Sequence, residues 1–419
     1  MKLGYAEVDI TPQSAVETVG FGRGDNMSRG ILKPLLAQVS VWEETERYCL
    51  ITIDSIGFKK DLTDKFRNRI CHVLGVSTEK VMVCFSHCHS APNADVETEY
   101  YEMLCRKLEE AAELAQHRLC EICVGYGNAG VTIGVNRRQR TEVLDKRAGV
   151  LKVCKENGEI ALLLLRVTAH CNVLKSDNYL ISPDYFGEMR EVLSQQYGCP
   201  VMVIQGSAGN IAPKYFQSEN TPVDATGELY IRSQSGLKDM ALEVLRETAP
   251  VIDKIEVLKN ESLGMSSMQL TLYANVPEYE TAMQIAKEAK EYCGIDGTGW
   301  LEEIRKLNDN GVKKQEECVE VQYFTIGKWC LCGVPYELME GFAIRAKEMT
   351  RNEFFYLNGY TNGCLTYFPT EEEFDRGGYE VYWSLLIYYI YFDRVFPFVR
   401  EAATELVGFV VRNAPMWED

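Results

Sequence analysis

Short apolar segments alternate with longer amphipathic ones along nearly the whole chain, and this alternation is the strongest constraint on what it can fold into. The predicted strands are Gly4–Ile10, Leu36–Trp42, Arg47–Ile53, Val81–Phe85, Cys120–Tyr126, Val150–Lys155, Ile160–Val167, Val201–Gln205, Val319–Ile326, Trp329–Val334 and Glu353–Tyr360. Between them, apolar residues recur at three and four positions, which predicts helices at Asp61–Leu74, Glu97–Leu119, Asp184–Tyr197, Gly227–Thr248, Pro277–Leu307, Tyr336–Arg351 and Arg394–Leu406. Strands interleaved with helices predict an α/β class, with mixed α+β as its variant: mixed sheets flanked by helices. No internal repeat, low-complexity tract or Pro/Ser-rich linker interrupts the pattern. One large domain over residues 1–419 is therefore expected, with the charged stretch 278–317 as a helical insertion.

Charge narrows the partners. A formal net charge of −17, from 61 acidic and 44 basic residues, repels phosphate backbones and anionic membrane faces. The densest basic cluster, Arg137-Arg138-Gln139-Arg140, is too short to overturn that, so nucleic acid is not expected. Apolar runs such as Ile160–Leu165 are far too short to span a bilayer, so no stable membrane insertion is expected. The opening residues contain no apolar signal core, and an odd number of cysteines, fifteen, points to reduced thiols. Both features imply a cytoplasmic protein. The remaining partner is a small-molecule substrate, and a homo-oligomer is compatible with the composition.

Histidine is scarce, with five in the chain, so its placement carries information. Two sit in Ser86-His87-Cys88-His89, directly after the strand Val81–Phe85, and His170 follows the strand Ile160–Val167. Loops at strand C-terminal ends are where α/β proteins present reactive groups. In an extended segment His87 and His89 face the same side and suit a zinc site with an open position. A bare HxH is, however, about as often a pair of loop histidines bonded to backbone. The glycine-rich turn Gly206-Ser207-Ala208-Gly209-Asn210 can bring backbone N–H groups to a ligand, but it lacks the lysine and spacing of a nucleotide cradle. Glu337, in Val334-Pro335-Tyr336-Glu337, reads as a residue of a first helical turn, where a carboxylate usually complements the helix dipole. Tyr367 and Tyr379 lie in an aromatic, glycine-rich stretch that suits a pocket lining as well as ordinary packing. No GxSxG elbow is present, and spacing selects neither Cys88 nor Cys171 as a nucleophile.

Taken in order, these segments resemble the catalytic domain of neutral/alkaline non-lysosomal ceramidases. Gly4 to Pro12 looks like the family's G-x-A-x-x-D-I-T-P start, and Phe85 to Pro92 like its T-H-T-H-S-x-P segment. Val135 to Arg138, His170 with Asn178 to Gly187, Gln205 to Pro213, Pro335 to Glu337 and Thr361 to Glu380 follow in matching order. The resemblance implies a zinc site held by His87, His170, Glu337 and Tyr367, with His89, Arg137 and Tyr379 stabilising an oxyanion. Gly206, Ser207, Gly209 and Asn210 would contact substrate. It also implies a short bacterial-type member, without the family's C-terminal immunoglobulin-like domain.

One departure limits the carry-over. The family's G-D-V-S-P pattern holds its nucleophilic serine, and this chain has Ala212 at that place. Chemistry through that hydroxyl is therefore closed to it. The expected function is a zinc-dependent hydrolase of an amide or ester bond in a small soluble substrate, using metal-activated water, with Asp54 or Asp95 as general base. Ceramide or N-acyl amide hydrolysis is the alternative within the same fold. A catalytically inactive metal-containing binding protein is the alternative outside it.

Overall fold

Alternate residues of Ile160–Val167 pack to opposite sides of a sheet, which is why that run is apolar except for Arg166. Leu163, Leu165 and Val167 face helices, whereas Leu162 and Leu164 face a second sheet. The computed structural model describes residues 1–138, 143–216, 231–259 and 261–416.

The larger sheet contains β1 (Lys2–Asp9), β2 (Leu36–Glu43), β3 (Arg47–Ile53), β4 (Val81–Phe85), β5 (Cys120–Gly130), β7 (Arg147–Lys155), β8 (Ile160–Val167) and β9 (Val201–Gln205); β6 (Gly134–Asn136) lies outside it and pairs with β10 (Ile211–Pro213). Its order is β4-β3-β2-β1-β5-β7-β8-β9, parallel at β3/β4 and β8/β9 and antiparallel elsewhere. The second sheet joins β11 (Leu263–Asn275), β12 (Lys314–Ile326), β13 (Trp329–Gly333) and β15 (Phe355–Asn358), while β14 (Glu337–Leu338) and β16 (Tyr367–Phe368) form a small parallel pair. Phe324, Trp329, Leu331 and Tyr356 of the second sheet close over Leu50, Met82, Leu151 and Ile204 of the first.

Helices cover the two outer faces. On the larger sheet, α1 (Lys60–Leu74) and α2 (Thr98–His117) seat Phe66, Ile70, Leu104 and Leu108 against β1–β4. Beside them, α3 (Asp184–Tyr197) and α4 (Gln234–Ile252) seat Met189, Leu193, Met240 and Val244 against β7–β9. A hairpin of α5 (Tyr279–Cys293) and α6 (Thr298–Asp309) connects β11 to β12 and has its own small core around Ile285, Trp300 and Ile304. On the outer face of the second sheet, α7 (Glu340–Thr350) and α9 (Ala402–Arg412) bury Phe342, Ala343, Leu406 and Val410; the short α8 (Leu385–Tyr388) precedes α9. The result is a mixed α/β protein layered helix, sheet, sheet, helix. No helix among the described residues is long and apolar enough to cross a membrane.

Several elements differ from the sequence expectation. The helix expected over Pro277–Leu307 is two helices, because Gly294 takes φ 69° and ends the first. The one expected from Tyr336 begins at Glu340, since Glu337 and Leu338 pair with Tyr367 and Phe368 instead. The closing helix runs Ala402–Arg412 rather than Arg394–Leu406. The start of the helix expected at Gly227 lies outside the described residues; its described part opens at Gln234, capped by Ser233 accepting from the Gly236 N–H. The strand Leu263–Asn275 was not expected at all, as its side chains are mostly half-exposed and the apolar alternation is weak in its first half.

Candidate metal centre and substrate cavity

The chain folds so that the ends of β4, β8, β9, β13 and β15 feed one cluster of loops. Gln205 donates to the Ser86 carbonyl (3.3 Å), the Phe85 N–H to Tyr360 O (3.0 Å), and Gly209 N–H to Leu338 O (2.8 Å), which ties these ends together. His87, His89 and His170 meet there, with ring centroids 4.6–5.3 Å apart. His87 and His89 converge through a turn, not by the extended alternation read from sequence: His87 takes φ 57°, in the left-handed region.

Each imidazole is oriented by a backbone carbonyl. Nδ1 of His87 meets Ile56 O at 2.8 Å, that of His89 meets Gly20 O at 3.0 Å, and that of His170 meets Ala208 O at 2.9 Å. A carbonyl only accepts, so in the neutral rings Nδ1 carries the hydrogen and Nε2 presents a lone pair. Burial pushes His89 well below the usual histidine range; burial and Arg137 do the same to His170. Both are held neutral.

The inward atoms then form a set of acceptors with nothing to accept. Glu337 Oε2 lies 3.1 Å from His87 Nε2 and 3.6 Å from His170 Nε2. Among the described residues, His87 Nε2, His89 Nε2 and Glu337 Oε2 are buried without a hydrogen-bond partner. One ligand atom from each histidine lies within 4.8 Å of the others. Lone pairs facing a carboxylate at this distance repel unless a proton or a cation stands among them, and imidazole nitrogens gathered with a carboxylate oxygen are a donor set that fits a divalent metal. The carbonyl partners are the outer contacts that such ligands need.

Tyr367 sits beside Glu337 through the β14/β16 pairing, and its hydroxyl accepts from Arg137 (3.2 Å). Burial and the Glu337 charge push this phenol well up. Arg137 also donates to Gly209 O (2.6 Å) and lies 2.9 Å from Glu380 Oε1. Tyr379, 5.8 Å from Tyr367 between ring centroids, is raised by burial to about 12 and is a hydrogen-bond donor at neutral pH. His89 differs from its expected part: with Nδ1–H committed to Gly20, its neutral Nε2 can accept a proton but cannot donate to an oxyanion.

A cavity of about 250 Å³ opens onto this cluster, and His87, Glu337, Tyr379 and Asp95 all line it. Other expected site residues lie elsewhere. Asp54 is buried in a bidentate ion pair with Arg190 (2.9 and 2.5 Å) and accepts from Leu36 N–H, so its carboxylate is consumed. Ser207 donates to Leu357 O (2.7 Å), and Asn210 accepts from Glu340 N–H (2.8 Å). A side chain at Gly206 would strike Thr168 and Arg166, and one at Gly209 would strike the Glu337 carbonyl at 2.5 Å. None of these four lines the cavity; the turn packs under the cluster and holds His170 and β14 in place. Ala212 is buried in β10 opposite Val135.

Sequence reasoning passed over Gly20, whose carbonyl orients His89. Gly20 takes φ 110°, and a Cβ there would lie 2.4 Å from His89 Nδ1. The only sequence signal was the run Gly20-Phe21-Gly22-Arg23-Gly24. Gly20→Ala is expected to cost about 1–3 kcal/mol of stability and to weaken metal binding. An unchanged melting temperature together with an unchanged metal affinity would refute this role.

No protein-family model and no curated protein matches the chain. Solved structures do: a neutral ceramidase from Pseudomonas aeruginosa superposes with a TM-score of 0.69 at 19% identity, over 90% of this chain and 70% of that one. A ceramidase complexed with C2 superposes with a TM-score of 0.71 at 17% identity, over 100% of this chain and 76% of that one.

Proposed function

We propose that this chain, whose fold is neutral ceramidase-like, is a metal-dependent hydrolase that cleaves an amide or ester bond in a small substrate. The observation that carries the reading is the convergence of Glu337 Oε2 with the Nε2 atoms of His87 and His170, all acceptors, in a buried site that opens onto a cavity. His87, His170, Glu337 and Tyr367 would hold zinc. A bound dication supplies Lewis acidity to the scissile carbonyl and lowers the pKa of water.

The chain's own residues complete the chemistry. His89 Nε2 would take the proton from attacking water, since Nδ1 faces the Gly20 carbonyl at 3.0 Å and carries the hydrogen in the neutral ring. Arg137 and the Tyr379 hydroxyl are the donors for the charge that develops on the carbonyl oxygen. The Arg137–Glu380 pair, extended by Arg138 bonding both Glu380 (2.7 Å) and Glu373 (2.5 Å), fixes the segment that presents Tyr379. Asp54 is not part of this machinery.

Metal analysis tests the reading directly. Purified protein should carry about one equivalent of zinc, and chelation should lower its melting temperature. Less than half an equivalent, with no change on chelation, would remove the metal from the proposal. Ala212 in place of the family's serine favours a second reading, a metal-containing protein that binds without catalysis. A broad amide and ester panel that stays silent on zinc-loaded protein would select it.

A further inference from the structure

The cavity has two chemically different ends. His87 and Glu337 stand at one, with Phe21 packed on His89 (ring centroids 5.0 Å), and Asp95 and Lys59 line another part near Tyr391. Asp95 Oδ1 lies 3.7 Å from Lys59 Nζ, beyond hydrogen-bond reach, and has no hydrogen-bond partner among the described residues. Lys59 is shared with a second carboxylate, Asp61, at 3.8 Å. Two carboxylates around one ammonium leave this end negative. Tyr391 registers that field: after burial, the charges of Asp95 and Glu17 are what push its hydroxyl up.

An unused carboxylate oxygen, a net negative field and aromatic walls are the features that bind an ammonium group, through charge-assisted hydrogen bonds and cation–π attraction. An anion would gain from Lys59 but would meet Asp95, while Asp61 shares the same ammonium. Size sets a second limit. At about 250 Å³ the cavity falls below the roughly 300–1,000 Å³ of pockets that enclose drug-sized ligands. We infer that the substrate is a short amide whose far end carries a protonated primary amine, with Asp95 accepting from the ammonium and Lys59 tempering the site. This rests on the hydrolase reading of the same cavity, and it names the substrate class.

The experiment compares three matched probes on zinc-loaded protein: N-acetylputrescine, the uncharged N-pentylacetamide and the anionic 5-acetamidopentanoate. The amine should be cleaved with a kcat/KM on the order of tenfold or more above the uncharged probe. Asp95→Asn should erase that preference mainly through KM, and Lys59→Met should lower KM for the amine. A purely structural role would not move the two variants in opposite directions. Equal or better cleavage of the uncharged or anionic probe overturns the inference. Should no probe be cleaved, calorimetry with pentylammonium chloride decides: binding that Asp95→Asn abolishes keeps the cation site and places the failure on the hydrolase reading. Absent binding, or binding equal in both proteins, overturns the cation site itself.

Discussion

Glu337→Gln is expected to remove the metal and to reduce hydrolysis of an accepted substrate on the order of a thousandfold, while making the metal-free protein more stable. The two effects have one origin. Glu337 Oε2 faces His87 Nε2 at 3.1 Å and His170 Nε2 at 3.6 Å, and with the imidazoles neutral all three are acceptors. An amide in the same place turns a repulsive contact into an N–H···N hydrogen bond, worth about 0.5–1.5 kcal/mol. The same change takes a negative charge from the ligand set, and losing Lewis-acid stabilisation worth several kcal/mol corresponds to about three powers of ten in rate. Melting curves with and without chelator, metal content and kcat/KM check this. Full metal occupancy with less than a tenfold loss of activity would sink the assignment of Glu337.

Asp145→Ala should cost the most stability, about 3–5 kcal/mol, by leaving buried guanidinium groups unpaired. Asp145 binds Arg147 through both oxygens (2.8 Å each) and Arg166 at 3.2 Å, and Arg166 is fully buried against Asn358 (2.8 Å). Arg166 also lies where a side chain at Gly206 would go, so this network supports the turn beneath His170. Burial alone would push the Asp145 carboxyl up, but Arg166 and Arg147 outweigh it and hold it at about 2. A depressed folded-state value means that the stabilisation is complete above the unfolded carboxyl's pKa, about 3.9. It is lost as pH falls from about 4 towards 2. Acid denaturation of wild type and variant, followed by circular dichroism, should therefore converge below that window. A variant that melts within about 1 kcal/mol of wild type at neutral pH would show that solvent reaches these arginines.

Much of the scaffold was legible because side-chain period is a local property. β3, β4, β8 and β9 are predominantly apolar runs, since sheet-on-sheet and helix-on-sheet packing bury both faces. β11 was not legible because one of its faces meets solvent and its alternation is weak. The two-residue strands Glu337–Leu338 and Tyr367–Phe368 exist only through their mutual pairing, so a first-turn glutamate was the natural local reading of Glu337. Asp54 illustrates the opposite error. It follows a strand, as a reactive carboxylate often does, but Arg190, 136 positions away, occupies both its oxygens.

The order of strands and helices, and the placing of His87, His89 and His170 just after strand ends, belong to the sequence alone. What those imidazoles can do was decided by tertiary structure. The carbonyls of Ile56, Gly20 and Ala208 put the hydrogen on Nδ1 and turn every Nε2 inward. A backbone carbonyl is the same for every residue type, so no pattern of side chains announces which one a histidine will meet. Only the folded chain brings that partner, and with it the Glu337 carboxylate, to the place where the lone pairs converge.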